Sequence, residues 1–394
     1  MPILISGFKQ MYMRRTIKIV LLISCLAALQ WGCLQKYNSP YVSPSTGYLV
    51  VEGYICGNGP TQFTLSRTIA LPGDSAIPME TGAKVQVEGN DNTVFPLAQQ
   101  GSGIYGIDTL SLNPTAQYRL RISTSDGEQY LSSYVPYVAT PPIDSISWVY
   151  NSAGVNIYAN THDPSGNIRY FQWNYTETWQ YTSAEYSIFV YDATDTTVVP
   201  RPYPVDQIYN CWMADNSTQI ILGNSAKLAQ AEIYDQPVIF IPIATQRLSV
   251  LYTIIVRQYG LTEAASNFLY MMKQNSEALG TIFDPQPSQL AGNIQCLTNP
   301  GEPVVGYISA GAVQQQRIWI SPDQVPNWGY VYACTAGDRP VPNVKDSLYD
   351  YFNYYEYIPV SRPNPNGPYL ANGSGCIDCR LQGGTTQEPV WWPN

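Results

Sequence analysis

Cys376-Ile-Asp-Cys379 is the pair of reactive groups whose spacing chemistry most often uses. Such a pair suits a dithiol–disulfide couple or one half of a zinc site. Zinc needs two further ligands, and His162 is the single histidine. A thioredoxin-type couple needs a βαβ setting, which is absent from the pattern. Cys56, Cys211, Cys296 and Cys334 complete a set of six beyond the N-terminal segment. An even number in an exported chain suits structural disulfides. Cys56, Cys211, Cys296, Cys334, Cys376 and Cys379 are therefore the candidate disulfide formers, with their pairing left open; no metal site and no cofactor is expected. Catalysis finds little to work with. A serine triad would have to recruit His162, and a solvated histidine in the turn Thr161-His162-Asp163-Pro164-Ser165-Gly166 is the simpler account. Acidic residues are sparse and no two stand out as a glycosidase pair. Gly383-Gly384 opens no phosphate-binding helix. The chain is not expected to be an enzyme.

Cys33 is a different kind of cysteine. Arg14, Arg15 and Lys18 make a basic start, and an apolar run from Ile19 to Leu29 follows. Gly32 stands directly before Cys33, and the chain turns polar after it. Basic, apolar, then small is the layout of a secretory signal. The run is too short to cross a bilayer, which takes roughly 20 apolar residues. The layout resembles the lipobox of bacterial lipoproteins, in which the cysteine takes the lipid. Cys25 has a tighter local match, but cutting there would leave Leu26–Leu29 on the mature end. Residues 1–32 therefore read as a signal peptide, with Met1, Met11 and Met13 all available as starts, and residues 33–46 as a lipidated tether.

The elements that would position these groups are mostly strands. Only 12% of residues are charged, while Tyr numbers 32 and Pro 31. That composition favours an all-β chain. The net charge is −9, and removal of residues 1–32 takes away four basic residues and no acid. An acidic chain argues against nucleic acid as partner. Ala83–Glu88 alternates with Val85 and Val87 inward, and Tyr118, Leu120 and Ile122 alternate with Arg119 and Arg121. Short strands at regular spacing over residues 47–137 predict an immunoglobulin-like sandwich. A Pro-rich boundary leads to a larger second β domain, 138–394, resembling a fibronectin-type sandwich with long insertions. It carries one helix, Glu263–Leu279, capped by Thr262, with Ala265, Phe268, Leu269, Met272 and Leu279 on one face. That stripe reads as packing. Trp212, Trp328, Tyr351 and Tyr354 fall in irregular segments and are the candidate contact aromatics, able to stack on a glycan or anchor a peptide. The plainer alternative is that they fill a core poor in leucine.

Several stretches together resemble one family, the Bacteroidota lipoproteins with the domain of unknown function 4249. They include Leu49-Val50-Val51-Glu52-Gly53, Pro142-Ile143-Asp144-Ser145, Asp163-Pro164-Ser165-Gly166 and Cys211-Trp212. Ile282-Phe283-Asp284-Pro285, Val305-Gly306-Tyr307-Ile308-Ser309-Ala310 and Cys376–Arg380 with Gly383-Gly384-Thr385 continue the series in order. The acidic stretch that the family carries after the lipid cysteine is missing. The resemblance implies a non-enzymatic outer-membrane lipoprotein, lipid-anchored at the cell surface. A TonB-dependent transporter is its expected partner, and ligand capture its expected role. A structural or adhesive surface lipoprotein is the alternative.

Overall fold

The computed structural model describes residues 47–69, 76–277, 292–332, 334 and 337–393. The signal segment, Cys33, the tether and the end of the expected helix lie outside the described residues. Thr46–Asn394 forms one compact unit. It is mainly β, as its composition predicts, and no described helix is long and apolar enough to cross a membrane.

The first sheet is built from β1 (Leu49–Cys56), β2 (Thr61–Arg67), β3 (Lys84–Gly89), β4 (Val94–Gly101), β5 (Ile104–Ile107), β6 (Gln117–Ser123), β7 (Gln129–Ser132) and β8 (Val135–Val138). Period-two alternation sends Val85, Val87, Tyr118, Leu120 and Ile122 into one core. Arg119 and Arg121 point away from it and both hold Glu88, at 2.7 and 2.5 Å. This sheet corrects the expected sandwich. Pairing of β6 with β8, and a strand from far along the chain seated between β1 and β8, close eight strands into a ring. Closure removes the sheet edges that an open sandwich leaves.

The second core lies between two further sheets. One joins β9 (Ile143–Asn151), β10 (Gly154–His162) and a late strand. The other centres on β11 (Tyr170–Thr182). The hairpin β12 (Phe189–Asp192) and β13 (Thr197–Pro200) is inserted here, followed by β14 (Asn210–Asn216) and β15 (Ile221–Asn224) on β11. β16 (Glu232–Pro242) completes the three-stranded sheet, and β17 (Leu251–Leu261) pairs with β11 over its length. Val155 and Ile157 from one sheet meet Phe171, Trp173, Ile254 and Val256 from the other. Trp173 Nε1 donates to Gln258 Oε1 at 2.9 Å, and Gln258 Nε2 donates on to Pro141 O and Thr161 Oγ1. The polar atoms of Trp173 and Gln258 are thus matched inside this core.

Helix α1 (Glu263–Glu277) follows β17 directly. Ala265 N–H donates to Thr262 Oγ1 at 3.2 Å, the cap expected at that threonine. The chain then returns to the first sheet. β18 (Ile294–Cys296) pairs with β7, and β19 (Ala310–Gly311) is the strand that closes the ring. Ile294, Val304, Ile308 and Ala310 enter the first core. The division at residue 137 therefore misses a segment that crosses back. β20 (Val313–Ile320) finishes the four-strand run β14-β11-β17-β20.

The stretch after Pro322 reads as irregular, yet it holds structure. β21 (Arg339–Val341), helix α2 (Lys345–Tyr349), β22 (Tyr357–Ser361), β23 (Tyr369–Gly373) and helix α3 (Ser374–Ile377) surround a third small core of Val341, Leu348, Phe352, Tyr369 and Ala371. Short elements broken by proline and tyrosine give little period to read.

Candidate functional site

A mainly apolar cavity lies where the ring, the second pair of sheets and α1 meet. Val305 and Ser309 run parallel to β1, tied by Val51 N to Val305 O at 2.8 Å and Ile55 N to Ser309 O at 3.0 Å. Gly306 sits between these ties at φ +148°, and a Cβ there would collide with Val51 O. Only glycine lets the segment pass so close to β1. Beside it a cavity of about 450 Å³ opens, within the range usual for small-molecule sites.

Each wall comes from a different element. β1 supplies Glu52, Tyr54 and Cys56; β11 supplies Gln172 and Asn174; β17 supplies Tyr259 and Leu261. α1 turns Ala265, Phe268, Leu269 and Met272 toward it, and Tyr307 stands opposite with its ring 5.4 Å from that of Phe268. The helix stripe expected as packing thus divides. Ala265 and Phe268 are buried, while Leu269 and Met272 are half-buried cavity wall. The C-terminal turn of α1 is fixed by Lys273 Nζ donating to Ile220 O at 2.8 Å and by Glu277 Oε1 accepting from Ile220 N at 2.6 Å. An open polar groove bounded by Thr176, Asn216 and Arg257 continues from Gln172 and Asn174.

Burial pushes the Tyr54 and Tyr259 phenols and the Cys56 thiol up, so all three stay protonated. Tyr54 and Tyr259 meet edge to face at 5.1 Å. Asn174 Nδ2 donates to Tyr259 Oη at 3.1 Å. The lining offers rings, aliphatic surface and a few amides. That arrangement can hold a molecule; it assembles no nucleophile with a base.

The residues singled out from sequence fall elsewhere. Cys211 pairs with Cys379 and Cys334 with Cys376. The two cysteines of Cys376-Ile-Asp-Cys379 therefore serve separate crosslinks. Cys56 and Cys296 are free and buried, which corrects their expected place among the disulfides. Cys56 sits at the cavity and Cys296 in the ring core, so each is enclosed away from a partner thiol. Trp212 and Trp328 are corrected as contact aromatics. Both are about 6% exposed, and Trp328 Nε1 donates to Thr245 O at 2.6 Å. They fill the core, as the plainer alternative has it. Tyr351 is half-buried against the third core. Tyr354 is exposed and lies edge to face with exposed Tyr355, their centroids 4.9 Å apart.

His162 ends β10 rather than standing in the turn, and its Nδ1 lies 2.8 Å from both Asp144 oxygens. That hydrogen bond, with the carboxylate charge, holds the imidazole above its ordinary range. Glu128, Cys296 and Glu302 cluster closely enough to share an ion. Tyr130 Oη already bridges the two carboxylates at 2.8 and 2.9 Å, and Arg67 lies 3.7 Å from Glu302. The arginine supplies the positive charge that a metal would bring.

Comparison with solved structures finds distant matches. The FN1–FN3 domains of chicken CNTN1 match at 12% identity, over 54% of this chain and 62% of that one, with TM-score 0.20. The chicken interferon gamma receptor alpha chain matches at 9% identity, over 56% and 91%, with TM-score 0.14. The chitinase ChiA74 from Bacillus thuringiensis matches at 10% identity, over 50% and 28%, with TM-score 0.15. Likenesses this low carry no functional argument. No curated protein matches. The sequence model of the family described as Domain of unknown function (DUF4249) matches residues 37–317, more than half of the chain, and the protein belongs to that family.

Proposed function

We propose that this protein is a non-enzymatic ligand-capture lipoprotein, anchored through lipid on Cys33 in the outer membrane and serving a TonB-dependent transporter. The observation that carries the capture role is the cavity under α1. It is enclosed on several sides, mainly apolar, and built from segments that only the folded chain brings together. The basic and apolar layout before Cys33 supports export and lipidation. The Bacteroidota setting and the transporter come from the family resemblance alone. We also read the three- and four-stranded sheets around the second core as a fibronectin-type sandwich, on the orders β16-β10-β9 and β14-β11-β17-β20.

The test is a pull-down of tagged protein from native outer membranes. The expected result is co-purification of a TonB-dependent transporter, with Cys33→Ala moving the protein to the soluble fraction. Recovery of the protein alone refutes the partnership, and a membrane-bound Cys33→Ala protein refutes the anchor. A second reading, adhesion, is favoured by the exposed Tyr349, Tyr354 and Tyr355. It predicts binding to a glycan or peptide surface that Tyr354→Ala with Tyr355→Ala abolishes.

A further inference from the structure

We propose that the cavity under α1 takes one compact apolar molecule that carries no negative charge. This rests on the capture reading above and gives the captured ligand its chemical class.

Two features of the wall converge on that class. The first is its apolar surface, made by Leu261, Leu269, Met272 and Val305 with the rings of Phe268 and Tyr307. At about 450 Å³ the space suits a body of two or three rings rather than a chain of sugars. The second is charge. Glu52 is the one charged side chain on this wall, exposed, with no ion pair or hydrogen bond among the described residues. An anion bound here would face that carboxylate with no cation on the same wall. Arg257 lines the adjoining groove instead, where its Nη1 donates to Thr176 Oγ1 at 3.0 Å.

The unit Thr46–Asn394 is compact and contains all three cores, so it can be produced oxidised and soluble without the lipid. Two fluorescent probes separate the terms. Phenylnaphthylamine is apolar and uncharged. Anilinonaphthalene sulfonate has the same rings and a negative charge. The first should bind saturably at one site, and the second about tenfold more weakly or worse. Glu52→Gln should narrow that gap. Leu269→Trp, which puts an indole into the cavity, should weaken the uncharged probe by about tenfold or more. Circular dichroism and the thermal midpoint establish that each variant is folded. If Leu269→Trp does not fold, Glu52→Gln decides. Non-saturating uptake, equal affinity for both probes, or binding indifferent to the folded variants overturns the proposal. A failed pull-down with a successful titration sinks the transporter reading alone, and the reverse result sinks this one.

Discussion

Replacing Cys211 and Cys379 together by alanine should be among the most destabilising changes outside the apolar cores. The crosslink joins residues 168 apart, and both cysteines are fully buried. In the chain-entropy account a crosslink acts by restricting the unfolded chain, and a loop of this length corresponds to about 5 kcal/mol. The Cys334–Cys376 bridge spans 42 residues and corresponds to about 4 kcal/mol. It is nested within the longer loop, which shortens the free path of that loop but lowers the larger figure only slightly, because the dependence is logarithmic. The native geometry around the crosslink is well supported. Tyr181 Oη donates to Cys379 O at 2.8 Å, and Cys379 N–H donates to Ile208 O at 2.9 Å. Urea unfolding of the double variant under non-reducing conditions measures the loss, and peptide mapping confirms the pairing. A loss below about 1 kcal/mol would refute the reasoning, since the entropic account predicts several times that. Recovery of a Cys376–Cys379 bond in the native protein would refute the pairing itself, and would restore a redox reading of that motif.

Other expectations follow from single positions. Trp328→Ala should cost about 3–5 kcal/mol by urea unfolding, as for other buried aromatics, whereas exposed Tyr354→Ala should stay within about 0.5 kcal/mol. Equal effects would show that the two residues share one environment. Asp144 raises the His162 pKa, so the stability from that pair is complete below the ordinary histidine range and is lost as pH rises through the raised value. A proton NMR titration should show this, with Asp144→Asn returning His162 to its ordinary range; an unchanged titration would refute the pairing.

Much of the protein was legible locally. Alternation at Val85 and Val87, and at Tyr118, Leu120 and Ile122, marks strands because side chains in a strand face opposite sides in turn. Thr262 before an amphipathic run marks the start of α1 because a threonine oxygen caps free N–H groups there. The mainly β class and the one long described helix were readable in this way, and the family was readable from the ordered series of stretches that resemble it. Two glycines within the quoted family stretches, Gly53 and Gly306, stand beside the cavity, and they were the available signal for it.

What the sequence could not decide is long-range. Ring closure depends on Ala310–Gly311 pairing with strands that begin more than 170 residues earlier, and no local period encodes that. The same return sets the cavity, whose walls at Glu52, Asn174, Phe268 and Tyr307 are far apart in the chain. Exposure of the aromatics was equally undecidable, because Trp212 and Trp328 carry the same local pattern as a surface residue until distant segments enclose them, Trp392 against Trp212 and the second core around Trp328. Disulfide pairing depends on which thiols the fold brings within bonding distance, and it left Cys56 and Cys296 apart. Local propensity fixes which segments become strands and helices; the burial of apolar surface between distant segments decides which of their side chains meet.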